Sequence, residues 1–181
     1  SFASDVRARA AQTLVKRCGP AYHRLYWSNS GAEAVEAALK FAVLATGKRH
    51  FVACRGGYHG KTLGALSATH AGKYREPFLP LLWDFDHVPY GDERALEKAL
   101  GEDTAAFIVE PVQGESGVIL PPAGYLREAL ELCRRRGVLL ILDEVQTGCG
   151  RTGAFLRSQV EGLDGDILCL GKALAGGLPV G

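Results

Sequence analysis

Methionine is missing from all 181 residues. Reading frames begin with methionine, so a chain that opens on Ser1, in an already helix-like pattern, and stops at Gly181 in a glycine-rich stretch is expected to be a fragment or a processed chain. Long apolar runs are missing too. Val138 to Leu142 and Ala105 to Val109 fall far short of the roughly 20 residues a membrane span needs, and the amino terminus has no signal-peptide pattern. A soluble, cytoplasmic protein is expected. There is no excess of either charge: 21 basic residues face 20 acidic ones, which leaves no electrostatic footprint for nucleic acid or an anionic membrane. The expected partner is a small molecule.

Other absences remove whole chemistries. The five cysteines (Cys18, Cys54, Cys133, Cys149, Cys169) are odd in number and never form a Cys-x-x-Cys pair, against both a disulfide framework and a zinc site. Reduced thiols are expected. The five histidines show no metal-ligand spacing and no serine stands in a Gly-x-Ser-x-Gly turn, so metalloenzyme and serine hydrolase lack their minimum parts.

What is present is an alternation. A hydrophobic content of 47% is enough for one ordinary core. Val6, Ala10 and Leu14 recur at helical spacing after Ser4 or Asp5 as N-cap, with Gly19-Pro20 as the stop. Arg24 to Trp27 reads as a short strand, Ser28 to Gly31 as a small-residue loop, and Ala32 to Thr46 as a helix ended by Gly47. Strand His50 to Cys54 and helix Thr62 to Thr69 follow. After a Pro-rich connector from Glu76 to Tyr90 come helix Glu93 to Leu100, strand Ala105 to Glu110 and helix Tyr125 to Arg136, whose terminal arginines suit the negative end of its dipole. Val138 to Leu142 and Asp166 to Leu170 read as strands covered on both faces. Such alternation predicts an α/β fold with three layers, α/β/α, around a mostly parallel sheet.

In open α/β sheets ligands collect at the carboxyl ends of the strands, and there the sequence concentrates its polar and small residues. Ser30-Gly31-Ala32 opens a helix, where free N–H groups and the positive dipole end favour an anion; an ordinary N-cap serine before a turn glycine would look the same. Tyr58 and His59, set between glycines, offer a flat face for a planar ring or a cap on the core. Glu110 to Glu115 follows one strand and Asp143-Glu144-Val145-Gln146 another. Two carboxylates closing an apolar strand also suit a magnesium-binding strand of a P-loop ATPase. That alternative fails on its phosphate loop, because Gly165 and Gly171 enclose five residues where four are required and Ala173 replaces the Ser or Thr. Lys172, just past an apolar strand, is expected near a poorly solvated interior that would free its amine to attack a carbonyl.

Together these stretches resemble class III, ornithine-aminotransferase-like, enzymes of the fold type I pyridoxal-phosphate group. The matching segments are Ser30-Gly31-Ala32-Glu33-Ala34, Gly57-Tyr58-His59-Gly60-Lys61-Thr62, Glu110-Pro111-Val112-Gln113-Gly114-Glu115, Asp143-Glu144-Val145-Gln146-Thr147-Gly148, Gly150-Arg151-Thr152-Gly153 and Leu170-Gly171-Lys172-Ala173-Leu174. They occur in the family's order, with Asp143 and Lys172 the family's 29 positions apart.

The resemblance implies that Lys172 holds pyridoxal 5′-phosphate as a Schiff base and later shuttles a proton. It implies that Asp143 pairs with the pyridine nitrogen, keeping the ring an electron sink. By the same match Ser30, Gly31 and Ala32 cradle the phosphate, Tyr58 stacks on the ring with His59 beside it, Val145 packs on the opposite face, and Gln146 sits near the phenolic oxygen. Glu115 matches a gating glutamate that pairs with an arginine in relatives, and Glu110 a second carboxylate on the substrate side. The implied reaction is ping-pong transfer of an amino group from an amine or ω-amino acid to a keto acid, in a homodimer when full-length. Pro77 to Asp92 is similar to relatives acting on diamines or ornithine derivatives. Aminomutases and a dialkylglycine decarboxylase share the framework, so another reaction of the same cofactor stays open, as does an inactive truncated piece. Residues 1–181 would be an incomplete large domain, without the C-terminal small domain whose arginine grips the substrate carboxylate and without an N-terminal segment.

Overall fold

The computed structural model describes residues 3–181; the helical reading at Ser1 lies outside them. Helix α1 (Asp5–Cys18) follows Ser4 as N-cap and stops at Gly19, as its pattern predicts. Then come α2 (Gly31–Thr46), β1 (His50–Cys54), α3 (Leu63–Ala68), α4 (Gly72–Arg75), β2 (Asp84–Val88), α5 (Glu93–Ala99), β3 (Thr104–Val109), α6 (Tyr125–Arg136), β4 (Leu139–Asp143), α7 (Arg157–Val160) and β5 (Ile167–Cys169). A 3-10 turn spans Lys172–Ala175.

The strands form one sheet in the order β2-β1-β3-β4-β5, every pairing parallel. Because strand side chains alternate between faces, the two sides of the sheet read directly off the sequence. Val52, Cys54, Phe107, Val109, Leu140 and Leu142 meet Leu96 and Leu100 from the α5 side and Tyr125, Leu126, Ala129 and Cys133 of α6. Phe51, Ala53, Ala106, Ile108, Ile141 and Cys169 meet Val35, Leu39 and Ala42 of α2 and Ala65 and Ala68 of α3. The three-layer α/β/α arrangement is thus present. Central β3 is buried along its whole length, and each fully buried Phe or Ile there contributes about 1.5–3 kcal/mol.

Two expectations are corrected. Arg24 to Trp27 is no strand: it joins no ladder, and only Ser28 exchanges backbone hydrogen bonds, with Gly181 (2.8 and 2.9 Å). An apolar run becomes a strand only when a neighbour supplies its hydrogen bonds, and the sheet ends at β5. Conversely, the Pro-rich connector contains β2, Asp-Phe-Asp-His-Val. Its alternation was hidden by flanking prolines and acidic residues, which suit an edge strand that must not recruit another chain.

Candidate active site

The carboxyl ends of β1, β3, β4 and β5 and the start of α2 converge, and the glycines there fit because nothing larger would. A Cβ on Gly31 would stand 2.5 Å from Val145 Cγ1, one on Gly60 2.8 Å from the Ala32 methyl, and one on Gly171 3.2 Å from Gly31 Cα. The Ser30–Ala32 turn, the Tyr58–His59 loop, Val145 and the Lys172 segment are thereby brought together. At Gly114 a side chain would collide with the Gln146 amide.

At the α2 terminus Ser30 Oγ accepts the Glu33 N–H (3.2 Å) and Glu33 Oε2 accepts that of Asn29 (2.6 Å). This capping pair fixes the turn and leaves the N–H groups of Gly31 and Ala32 without intrahelical acceptors, a ready anion cradle.

Asp143 closes β4, buried at 4% exposure. One carboxylate oxygen accepts His59 Nδ1–H at 2.7 Å and the other the Val145 N–H at 3.1 Å. His59 is itself held by its own N–H to Thr69 Oγ1 (2.9 Å). Burial alone would lower the basicity of His59, but the Asp143 hydrogen bond and charge, aided by Glu110, outweigh it and hold the imidazole above its ordinary value. Its Nε2 is buried with no partner.

Glu110, at the end of β3, accepts the Tyr58 N–H (2.9 Å) and is 5% exposed. Desolvation pushes its carboxyl up to about 7; the Asp143 charge adds to this, while His59 and the N–H groups of Tyr58 and Gly114 partly offset it. Two buried carboxylates and one imidazole therefore share a small volume, and of these Glu110 keeps its proton well above the ordinary carboxylate range. Tyr58 lies edge-on to Tyr74, centroids 5.9 Å apart. Gln146 Nε2 donates to exposed Glu115 at 3.4 Å, so a glutamine is that carboxylate's partner here.

One expectation fails. Lys172 is exposed, at the first position of the 3-10 turn with φ +43°, so the buried setting expected for its amine is not there. β5 ends three residues earlier, at Cys169, and Lys172 belongs to the turn above the sheet rather than to the interior.

Sequence reasoning also missed residues that hold the site. Glu144, fully buried, accepts the Thr147 hydroxyl (2.8 Å) and the N–H groups of Arg157 and Ser158 (2.7 Å each), pinning the loop that carries Val145 and Gln146. Its signal was the second carboxylate at the end of an apolar strand. Tyr90 Oη donates to the carbonyls of Glu110 (2.9 Å) and Pro111 (3.1 Å); no motif marks it. A cavity of about 490 Å³ lies elsewhere, among Leu14, Tyr22, Trp27, Phe41 and Leu168. Its mostly apolar lining, which also includes Arg24 and Asp166, carries none of the polar groups described above, so it is not where the chemistry is assembled.

The family model described as Aminotransferase class-III matches residues 1–181. The chain belongs to this family. Over 180 residues it is 52% identical to the acetylornithine aminotransferase of Methanopyrus kandleri, covering 99% of this chain and 46% of that one. The ornithine aminotransferase structure from Toxoplasma gondii superposes with a TM-score of 0.92 at 40% identity, covering 99% of this chain and 44% of the other. An amine transaminase from an uncultivated Pseudomonas species, solved in its PLP-bound form, gives 0.87 at 34% identity, with 99% and 47% covered. This class III chain spans about half the length of the relatives it matches.

The residues present fit the cofactor the family implies. The α2 turn offers two free N–H groups to a phosphate, Asp143 offers a fixed carboxylate, and the orphaned His59 Nε2 marks a buried polar place still wanting a partner.

Proposed function

We propose that residues 1–181 form the cofactor-binding large domain of a pyridoxal-phosphate-dependent aminotransferase, moving an amino group from an amine or ω-amino acid to a keto acid in two half-reactions. The observation that carries this reading is the buried 2.7 Å Asp143–His59 pair at the end of β4. A carboxylate fixed at both oxygens, one by an imidazole, is suited to hold a proton on a ring nitrogen. When bound, pyridoxal phosphate supplies the electron sink for the carbon that loses its proton.

The chain's own residues divide the remaining work. Gly31 and Ala32 N–H groups, with Ser30, would hold the phosphate. Tyr58 and Val145 would cover the two faces of the ring, and Gln146 would address its phenolic oxygen. Lys172 Nζ would hold the cofactor and carry a proton, while His59 orients Asp143 through their hydrogen bond. Glu110 and Glu115 shape the substrate side. The relatives' names, acetylornithine and ornithine aminotransferase, support a donor whose reacting amine lies far from its carboxylate. Exposed apolar Tyr26, Phe41, Leu44 and Leu178 suit burial against a second subunit in a homodimer. Among the described residues no helix is long and apolar enough to cross a membrane, and we place the enzyme in the cytoplasm.

Absorption spectroscopy after incubation with pyridoxal phosphate tests the proposal. The expected result is a visible band, absent in Lys172→Ala, that amino donors bleach and a keto acid restores. A band that Lys172→Ala retains removes the lysine assignment; bleaching that no keto acid reverses removes transamination.

A further inference from the structure

Four basic side chains gather at the outer edge of the sheet with no acid among them. Arg55 follows β1, His70 follows α3, Arg75 ends α4 and His87 lies on β2. Arg55 Nε donates to the His87 carbonyl (3.2 Å), and the His70 N–H to the Gly57 carbonyl (2.9 Å). The His70 and His87 rings are 5.4 Å apart. His87 Nε2 lies 3.0 Å from the Ala68 carbonyl. A carbonyl only accepts, so that nitrogen carries the hydrogen and Nδ1 presents a lone pair, toward which Arg75 Nη1 points at 3.5 Å. A neutral histidine therefore orients the Arg75 guanidinium.

What this group lacks is a counter-charge. Neither arginine is in an ion pair among the described residues. Beyond burial, the charges acting on His70 are those of Arg55 and Arg75, and those acting on His87 are Arg75, His70 and His59. The acids nearest in sequence are engaged elsewhere: Asp86 is 3.4 Å from His50 on the opposite face of β2, and Glu76 lies against Gly72. Burial, opposed by the Ala68 hydrogen bond but helped by Arg75, pushes His87 down to about 4, and burial with the two arginines also lowers His70. Arg75 Nε is buried with no acceptor, an unmet donor on a fork whose shape matches a carboxylate or phosphate.

We infer that Arg55, Arg75 and His70 form an oxyanion-binding site at the β1–β2 edge, taking the carboxylate or phosphate group of a small molecule, with His87 as the residue that positions Arg75. None of the four belongs to the Lys172–Asp143 constellation, so the inference does not depend on the proposed transamination.

The test follows the imidazole NMR signals of the chain without pyridoxal phosphate, titrated with inorganic phosphate, with glutarate, and with sodium chloride at matched ionic strength. Expected are saturable shifts of His70 and His87 together and a rise of about one unit in the His70 midpoint, the size an opposite charge within 4–6 Å produces. Chloride should not reproduce them, and the anion that saturates at lower concentration identifies phosphate or carboxylate as the source. Arg75→Gln should abolish the response, and Arg55→Gln weaken it several-fold. Should Arg75→Gln misfold, Arg75→Lys keeps the charge without the fork and should bind several-fold more weakly. Shifts that track ionic strength whichever salt is added, or saturable shifts that survive loss of the Arg75 fork unchanged, overturn the site. Phosphate occupying the Ser30 turn instead would leave His70 and His87 unmoved, which also overturns it.

Discussion

The two residues on which the chemistry is proposed to turn live in opposite surroundings. Asp143 is buried, accepts hydrogen bonds at both oxygens, and closes a strand with a neighbour on each side. Lys172 is exposed on a turn at positive φ. The difference separates the part of the site that the sheet builds by itself from the part that hangs beyond it. At the ends of β1, β3 and β4 the polar groups are locked by packing before any ligand arrives, which is what preorganisation requires. Past β5 the backbone is placed, through Gly171 against Gly31, while the amine is not enclosed.

The comparison breaks first at Asp143. Removing it by Asp143→Ala strands the buried His59 Nδ1–H, and breaking a buried charged pair from one side costs about 3–5 kcal/mol. Urea unfolding should show that loss, with Asp143→Asn losing less because an amide oxygen can still accept from Nδ1–H. A loss under about 1 kcal/mol, the ordinary size for an unremarkable substitution, would mean the pair is not built into the fold.

The second effect is a pH dependence. Glu110 is raised from 4.5 to about 7, so between those values the folded state binds more protons than the unfolded one. Stability then falls as pH rises through that window, by a few kcal/mol at most. His59, also raised, acts in the same direction at higher pH: its contribution is full below the unfolded histidine value and is lost as pH passes the folded one. His87, pushed down to about 4, acts in the opposite direction over much of the same range, so the Glu110 part is read as the stability of the parent minus that of Glu110→Gln, by thermal unfolding from pH 4.5 to pH 8, a difference that should decline as pH rises. An unchanged profile in Glu110→Gln would place the titrating proton elsewhere.

The same contrast governs what could be read from the sequence. Periodicity and capping signals located α1, α2, β1 and α6 nearly to the residue, because local rules decide them: Gly47 and Gly137 take the left-handed conformation that ends a helix. The motif residues at the strand ends were legible because parallel α/β topology sends every such loop to one edge. What stayed hidden depends on partners far along the chain. β2 is a strand because it pairs with β1, and Arg24 to Trp27 is not one because nothing lies beside it. The role of Glu144 stayed hidden because its partners, the Thr147 hydroxyl and the N–H groups of Arg157 and Ser158, lie further along the chain. The exposure of Lys172 stayed hidden for the same reason, since its nearness to an apolar strand said nothing about what covers the turn above.

The smallest effect is at Lys172 and bears most directly on the open half. A non-glycine residue in left-handed backbone costs about 1–2 kcal/mol that glycine avoids, and an exposed side chain gives back little. Lys172→Gly should therefore unfold at slightly higher urea, by up to about 1 kcal/mol, after part of the relief is lost to glycine's greater unfolded-state freedom. Lys172→Ala, with its Cβ still in the strained region, should stay within about 0.5 kcal/mol of the parent. Both variants should lose the visible band with pyridoxal phosphate. More stable and colourless is the signature of a residue kept for chemistry at a site whose geometry favours another. If Lys172→Gly is instead clearly less stable, the lysine stem is packing the turn, and the open half is built as tightly as the half around Asp143.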